Sequence, residues 1–232
     1  MKKSIFVTGT DTGIGKTVIT GLLARYLLEN GENIITQKWV QTGSTGLPTD
    51  IKTHLMLIGK NKNYLQGHFN RVAPYVFRYP ASPHLAAKLE NKKIKTGKII
   101  ADFKNLSAKF DRVIVEGAGG VLVPINEREL LIDLAGKLKL GVLLVAGNRL
   151  GAINHTLLSI EALKARRLNI LGVVFNNLSS KDRMILEDNY KTVKRISGVK
   201  VFGPLLWSGN KEILYENFRS FAGNIIREAD RG

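Results

Sequence analysis

The sequence predicts an α/β protein in which a doubly wound, mostly parallel sheet lies between two layers of helices. Two observations lead to this prediction. Short apolar segments rich in β-branched residues alternate with longer amphipathic segments, and this alternation is typical of parallel strands joined by crossover helices. The first apolar segment also runs directly into a glycine-rich turn followed by a helical pattern, a common start for such folds. No repeat, low-complexity tract or linker interrupts the pattern, so we expect residues 1–232 to form one domain.

The individual elements follow from the spacing of apolar residues. Nearly unbroken apolar segments suit strands buried on both faces of a parallel sheet, and they predict strands at Ile5–Gly9, Ile34–Lys38, Arg112–Glu116, Val142–Ala146, Leu171–Asn176 and Val199–Phe202. Helical spacing predicts helices at Lys16–Glu29, Ile51–Ile58, His84–Glu90, Ile94–Phe110, Asn154–Arg166, Lys181–Ile196 and Lys211–Arg227. Ligands of doubly wound sheets bind beyond the carboxyl ends of the strands, so polar groups there are the first functional candidates.

The charge balance and the lack of cysteine limit the possible partners. The chain has 35 lysines and arginines against 19 aspartates and glutamates, a formal net charge of +16, and no cysteine. The basic residues are scattered and accompany no nucleic-acid-binding motif, so we interpret them as a solvated surface and expect no nucleic-acid partner. No apolar segment approaches the roughly 20 residues that cross a bilayer, so we expect no membrane partner. The lack of thiols excludes disulfides and is consistent with a cytoplasmic protein.

The turn after the first strand has the composition of a phosphate-binding loop. It reads Gly-Thr-Asp-Thr-Gly-Ile-Gly-Lys-Thr over residues 9–17. Glycines let successive amides face phosphate oxygens, and the following helix adds the positive end of its dipole. Lys16 is then expected to reach the β- and γ-phosphates, and the Thr17 hydroxyl to ligate magnesium. The loop has five residues rather than four between Gly9 and Gly15. The order of strand, loop and helix nevertheless favours nucleotide binding over an ordinary glycine-rich turn.

Three further charged residues occupy positions where function is expected. Lys38 ends the second strand beside the loop, where a cation could neutralise a transferring phosphoryl group, although an ordinary exposed lysine is an equal alternative. Asp50 stands near the start of a helix, where a helix cap and a magnesium ligand are both open interpretations. Glu116 follows the apolar residues 113–115. A carboxylate there is costly to bury unless it is paired or coordinated, which favours a magnesium ligand.

Five segments, taken together and in order, resemble the dethiobiotin synthetases. They are residues 9–17, residues 38–43 (Lys-Trp-Val-Gln-Thr-Gly), residues 80–84 (Pro-Ala-Ser-Pro-His), residues 115–120 (Val-Glu-Gly-Ala-Gly-Gly) and residues 150–156 (Leu-Gly-Ala-Ile-Asn-His-Thr). The similarity extends from the first strand to about Trp207. It implies a phosphate-loop NTPase-like fold and an ATP- and Mg²⁺-dependent ligase of biotin biosynthesis. That activity converts 7,8-diaminononanoate, CO2 and ATP into dethiobiotin, ADP and phosphate through a carbamic–phosphoric anhydride.

The resemblance also implies roles for individual positions. The catalytic side chains would be Thr12, Lys16 and Lys38, and the magnesium ligands Thr17, Asp50 and Glu116. Nucleotide contacts would come from Gly13, Ile14, Gly15, Lys16, Thr17, Val18, Asp50, Glu116, Gly117, Ala118, Gly119, Asn176, Asn177, Leu205, Leu206 and Trp207, with Asn176 reading adenine. Substrate contacts would come from Thr42, Ser82, Leu150, Gly151, Ala152, Ile153 and Asn154. The segment Leu150–Asn154 would be a helix start that receives the substrate carboxylate across the interface of a homodimer, where free amides bind anions.

Three positions depart from the pattern of that family. Trp39 stands where proline usually follows the lysine, Leu206 stands where proline is expected before Trp207, and Gly13 occupies a loop position that often holds a larger residue. These departures affect the approach of the backbone to substrate and the contacts to adenine. None of them removes a group that the chemistry requires.

Other classes of protein fit the motifs less well. A nucleotide-dependent switch ATPase of the partitioning type carries a second lysine five residues before the phosphate-loop lysine, where this chain has Asp11. Residues 176–179 (Asn-Asn-Leu-Ser) lack the lysine and aspartate of a guanine reader, and an amidotransferase of corrin acids would need a cysteine nucleophile. His84 and His155 have no clear carboxylate partner in the sequence, so we interpret both as structural.

Overall fold

A six-stranded parallel sheet forms the centre of the protein. The computed structural model describes residues 3–177 and 182–231. In chain order the strands are β1 (Ile5–Gly9), β2 (Ile34–Lys38), β3 (Val40–Gln41), β4 (Tyr75–Val76), β5 (Arg112–Glu116), β6 (Gly141–Gly147), β7 (Ile170–Asn177) and β8 (Val201–Leu206). The large sheet has the order β2-β5-β1-β6-β7-β8, and β3 and β4 form a separate two-stranded parallel pair. The sheet order places β1 between β5 and β6, so the chain reverses its winding direction around the first strand.

Helices cover both faces of the sheet and give three layers. They are α1 (Lys16–Glu29), α2 (Thr49–Leu57), α3 (Phe69–Val72), α4 (Pro83–Leu89), α5 (Thr96–Ser107), α6 (Leu131–Lys137), α7 (Ala152–Ala165), α8 (Arg183–Ser197) and α9 (Lys211–Arg231). Every residue of β1, β2 and β5 is buried, as expected for strands covered on both faces. Among the described residues, no helix is both long and apolar enough to span a membrane.

The six strands and seven helices predicted from the sequence are confirmed, with ends that differ by a few residues. The predicted strand Val199–Phe202 begins two residues later and continues to Leu206, and the predicted helix Ile94–Phe110 shortens to α5. Lys181, the predicted start of α8, and Leu178 and Ser179 lie outside the described residues. The prediction omitted β3, β4, α3 and α6. The first three contain only two to four residues, and α6 buries four of its seven residues, so it shows little helical alternation.

The carboxyl ends of the central strands meet at one edge of the sheet. β1 pairs with β5 and with β6, and β2 pairs with β5 on its other side. The segments that leave β1, β2 and β5 therefore start side by side. In doubly wound sheets this crevice, where the strand order reverses, is the usual ligand site.

Candidate active site

The loop between β1 and α1 adopts backbone conformations that require glycine. Gly13 and Gly15 have φ of +73° and +92°, in the left-handed region where residues with a Cβ are strained. A Cβ at Gly9 would lie 2.5 Å from Ile14 Cδ1 and 3.1 Å from Lys16 Cδ, so a larger residue here would displace both side chains of the loop. Gly15 is the residue that precedes α1. The amides of the first helical turn thus follow directly on the glycine-rich loop, which is the arrangement that binds phosphate.

Lys16 begins α1 and lies against this loop. Its side chain is buried, and its Nζ donates a hydrogen bond to the carbonyl of Asp11 at 2.6 Å. Burial, followed by repulsion from the nearby Lys38 charge, lowers the pKa of Lys16 to about 8. The side chain is therefore a cation near neutral pH that is poised to lose its proton under mildly basic conditions.

Lys38 and Glu116 form a buried ion pair because strand pairing brings them together. They are register partners at the last residues of β2 and β5, and they are only 4% and 1% exposed. Lys38 Nζ donates to Glu116 Oε1 at 2.8 Å and to the carbonyl of Gly117 at 2.7 Å. It also pairs with Asp50 Oδ2 at 2.7 Å. The interpretation of Lys38 as an ordinary exposed lysine is therefore wrong.

The pKa values of this pair follow from burial and charge. Burial alone would lower the pKa of Lys38, but the carboxylates of Glu116 and Asp50 outweigh it and raise that pKa above its usual value. Burial alone would raise the pKa of Glu116. The charge of Lys38 and the hydrogen bond from His54 outweigh it and hold that pKa well below the usual range. Both groups are charged over the whole physiological pH range.

Asp50 is not the residue that caps α2. The cap position is Pro48, and Asp50 is the second residue of the helix. Its carboxylate instead points to Lys38, within hydrogen-bonding distance. An acidic residue in the first turn still favours the helix through the dipole, but the side chain has become part of the charged cluster at the strand ends.

The oxygens of Thr17 and Glu116 are suited to a magnesium ion. Thr17 Oγ1 lies 2.9 Å from Glu116 Oε1, which matches the separation of neighbouring oxygens in an octahedron with magnesium–oxygen distances of about 2.0–2.1 Å. The carboxylate of Asp50 belongs to the same cluster, because Lys38 pairs with both Asp50 and Glu116. In the described residues no cluster of three or more acidic or histidine side chains holds a metal by itself. Magnesium in nucleotide-dependent enzymes usually keeps waters and substrate phosphates as its other ligands.

A cleft of about 830 Å³ opens between the phosphate loop and the segments after β2 and β5. It brings together predicted residues from five separate parts of the sequence: Thr12, Gly13, Gly15, Lys16, Thr17, Val18, Lys38, Thr42, Asp50, Ser82, Glu116, Ala118 and Gly119. Seven other residues line the cleft to which the sequence analysis assigned no role, although the first two and the three of residues 80–83 lie in segments that it singled out: Val40, Gln41, Pro80, Ala81, Pro83, Thr53 and Val123. The β3–β4 pair explains how residues 80–83 reach the site, because Phe77 and Tyr79 bond the backbone of residues 41–44.

His54 is a residue of the cluster that the sequence did not reveal. It is fully buried in α2, one turn after Asp50, and its Nε2 lies 2.9 Å from Glu116 Oε2. The spacing of four residues from Asp50 is the signal that could have identified it, since residues four apart on a helix share a face.

The side chain of Trp39 packs away from the cleft. Its ring is fully buried and stacks on Phe6, with centroids 5.0 Å apart. Its indole N–H donates to Gln37 Oε1 at 2.9 Å. Trp39 therefore packs beneath the strand ends as a core residue, while the neighbouring Lys38 and Val40 line the cleft.

The residues expected around adenine lie outside this cleft. Asn176 is fully buried, and its Nδ2 donates to the carbonyl of Ile14 at 3.0 Å, so it supports the phosphate loop. Its Oδ1 has no partner among the described residues. Asn177 accepts a hydrogen bond from Asn148. Leu205 is fully buried, whereas Leu206 and Trp207 are about half exposed, so only the latter two present side chains to solvent.

The segment Leu150–Asn154 lies at a second, shallower depression. Gly151, with φ of +85°, precedes α7. Leu150, Gly151, Ile153 and Asn154 line this depression of about 650 Å³ together with residues of α8, and Ala152 is buried. Leu150 is 79% exposed. The segment therefore does not line the cleft that contains the phosphate loop.

The strand order, the phosphate loop and the cluster at the strand ends together define a phosphate-loop nucleotide-binding protein. Comparison with solved structures agrees at the level of the fold. Structures of pNOB8 ParA (TM-score 0.60, 14% identity, covering 100% of this chain and 99% of that one) and of MinD from Aquifex aeolicus (0.55, 16%, covering 99% and 96%) are similar. At these identities the similarity shows the fold alone.

Sequence comparison identifies the family. Residues 3–209 match the sequence model of the AAA domain family. The ATP-dependent dethiobiotin synthetase BioD 2 of Pasteurella multocida is 45% identical over 147 residues, which span 62% of this chain and 68% of that protein. The ATP-dependent dethiobiotin synthetase BioD of Chlorobaculum tepidum is 43% identical over 144 residues, spanning 61% and 59%. The chain belongs to the dethiobiotin synthetase family.

Proposed function

We propose that this protein is an ATP- and Mg²⁺-dependent ligase that closes the ureido ring of dethiobiotin from 7,8-diaminononanoate and CO2. One observation carries the proposal. In a chain of this family, the cations of Lys16 and Lys38, the hydroxyl of Thr17 and two carboxylates converge on a single cleft. The cleft is large enough for a ligand, because small-molecule sites typically measure about 300–1,000 Å³.

The reaction asks the protein for positioning and charge stabilisation. One substrate amine combines with CO2 to a carbamate and loses a proton. The carbamate oxygen then attacks the γ-phosphorus and displaces ADP. The second amine attacks the carbamoyl carbon of the resulting anhydride and loses a proton, so that the ring closes and phosphate leaves. Each attacking group belongs to the substrate, and a protein nucleophile is not needed. Phosphoryl transfer of this kind is accelerated mainly by alignment and by charges aimed at the phosphoryl oxygens.

The residues of the cleft divide these tasks. The phosphate loop and Lys16 bind the phosphates of ATP, and Lys38 adds a second cation at the point where the phosphoryl group transfers. Thr12, Thr42 and Ser82 provide hydroxyl groups along the cleft that orient the phosphate and the diamine. Magnesium, held by Thr17, Asp50 and Glu116, would withdraw charge from the phosphate oxygens when it is bound.

We further propose that the substrate carboxylate binds at Leu150–Asn154 of a second subunit in a homodimer. Two features support this. The segment forms the start of a 14-residue helix, whose dipole attracts anions to its N-terminus. Leu150 and Met184, 79% and 81% exposed, both border the depression there. Exposed apolar residues clustered in this way are typical of protein interfaces.

The decisive experiment measures ADP release and product mass with each component omitted in turn. We expect ATP turnover to require both the diamine and bicarbonate, and to yield dethiobiotin in proportion to ADP. ATP turnover that is equally fast without the diamine, and is stimulated instead by a protein or DNA partner, would support a switch ATPase of the partitioning type and refute the proposal.

A further inference from the structure

The two oxygens of Glu116 have different partners. Oε1 accepts hydrogen bonds from Thr17 Oγ1 and Lys38 Nζ, at 2.9 and 2.8 Å. Oε2 lies 2.9 Å from His54 Nε2. One oxygen thus faces the proposed metal ligand and the catalytic lysine, while the other is held by a side chain that takes no part in the reaction as proposed.

A single helix face supplies both contacts that α2 makes to the cluster. Asp50 and His54 are four residues apart, so they project from successive turns on the same side of α2. Asp50 meets Lys38 and His54 meets Glu116. The orientation of α2 against the strand ends therefore determines where both carboxylates point.

Packing alone does not account for a histidine at this position. His54 is fully buried, and its Nδ1 has no hydrogen-bond partner among the described residues. A ring nitrogen that is unpaired in the interior costs free energy, which an apolar side chain of similar size would avoid. The hydrogen bond from Nε2 to Glu116 is the contact that an apolar side chain could not provide. It requires the proton on Nε2, which fixes the orientation of the ring relative to the carboxylate.

We propose that His54 is a positioning residue for the magnesium site. By holding Oε2, it keeps Oε1 of Glu116 directed towards Thr17, so that the two oxygens stand ready at the separation that a metal ion requires. The inference rests on the proposed role of Glu116 as a metal ligand. Partners that orient metal ligands in this way are typically worth 10–100-fold in metal affinity, and we expect a loss of about that size when the hydrogen bond is removed.

The test is a titration of Mn²⁺ into the protein in the presence of ADP, with bound and free ion distinguished by electron paramagnetic resonance. His54→Gln places an amide nitrogen near the position of Nε2 and keeps a donor. His54→Asn stays polar but is too short to reach Glu116, and His54→Leu replaces the ring by an apolar group. Glu116→Gln reports whether this carboxylate is a ligand at all, and Ile51→Val, a buried change on the same helix, is the matched control for loosening of α2.

The expected result is a loss of metal affinity of roughly 10–100-fold in His54→Asn and His54→Leu. His54→Gln and Ile51→Val should stay within about 3-fold of the wild type. The activity should follow, with the Mg²⁺ concentration for half-maximal rate raised in the Asn and Leu variants and much of kcat recovered at saturating Mg²⁺. Wild-type metal affinity in His54→Asn and His54→Leu, beside a weakened Glu116→Gln, overturns the role of His54 and leaves the proposed function intact. Equal losses in His54→Gln, His54→Asn and Ile51→Val would show a packing role and also overturn it. Unchanged affinity in Glu116→Gln would remove the proposed metal site itself, and the inference with it.

Discussion

The buried pair between Lys38 and Glu116 gives the sharpest test of how the strand ends are stabilised. Lys38→Met keeps an unbranched apolar stem but removes the ammonium group, which leaves the Glu116 carboxylate 1% exposed without its cation. Removing one partner of a buried ion pair typically costs about 3–5 kcal/mol. Glu116 retains hydrogen bonds from Thr17 and His54, and Asp50 can turn to solvent, so we expect the lower end, about 3 kcal/mol. At the 2–4 °C per kcal/mol usual for chains of this size, Tm should fall by roughly 6–12 °C.

A double-mutant cycle with Glu116→Gln separates this cost from simple loss of packing. The variant with both changes buries no carboxylate, so it should be more stable than the two single losses predict, with a coupling energy of about 0.5–3 kcal/mol. Chemical denaturation monitored by circular dichroism measures each corner of the cycle. Lys98→Met is the matched control. Lys98 also pairs with a carboxylate, that of Asp102 at 2.6 Å, but on the surface, where such a pair is worth about 0–1 kcal/mol. Additive losses, or a Lys38→Met variant as stable as Lys98→Met, would refute the reasoning.

Three further predictions concern other parts of the molecule. Burial lowers the pKa of Lys16 to about 8, so this side chain is charged below that pH and neutral above it. We therefore expect kcat/KM for ATP to fall as the pH rises through about 8. The Lys16→Arg variant should lack this inflection because arginine stays protonated. The variant Arg112→Met should have a free energy of unfolding lower by about 3–5 kcal/mol, because the buried guanidinium pairs with Glu32. Its affinity for ADP, measured by calorimetry, should be unchanged, since Arg112 lies about 13 Å along β5 from the site. The variants Lys16→Ala and Asn154→Trp should each be inactive as homodimers. If the active site is shared between subunits, random mixing of the two should restore about a quarter of the wild-type activity, because half of the dimers are mixed and one of their two sites is intact. Mixtures that stay inactive after the subunits have exchanged would place the substrate carboxylate elsewhere.

The sequence was most informative about the ends of the strands and about the phosphate loop. Lys38 and Glu116 each stand at the end of a predicted strand, and the carboxyl ends of parallel strands share one edge of a sheet, so both are expected at that edge. That β2 and β5 are neighbours, which brings the two side chains into contact, is seen only in the structure. The phosphate loop was equally clear, because its glycines and Lys16 are contiguous in the chain. The geometry of the loop follows from residues that are adjacent in the chain, and the position of the strand ends follows from the regular pairing of parallel strands.

The remaining features depend on contacts between segments that no local pattern reports. The sequence left Asp50 open between a cap and a ligand, and only the docking of α2 directs it to Lys38. The spacing of His54 from Asp50 shows only that the two share a helix face, and the contact of His54 with Glu116, 62 residues away, is seen only in the structure. The adenine contact of Asn176 stays a prediction, and the hydrogen bond from its Nδ2 to the carbonyl of Ile14 in the phosphate loop is a further contact that the sequence did not reveal. Such long-range contacts decide orientation, which composition and periodicity do not encode.

The hydrogen-bond partners of Lys16 and Lys38 indicate that the two lysines have different roles. An ammonium group has three donors, and Lys38 directs them to Glu116, Gly117 and Asp50. Phosphate oxygens must therefore compete with two carboxylates for Lys38, whereas Lys16 contacts a neutral carbonyl of the loop and meets no such competition. A cation that binds phosphate oxygens only when negative charge develops on them stabilises the transition state more than the bound substrate. Only that difference in stabilisation accelerates the chemical step. In the proposed reaction, Lys16 would thus be suited to hold ATP, and Lys38 to act as the phosphoryl group transfers, while the same carboxylates would hold the magnesium ion.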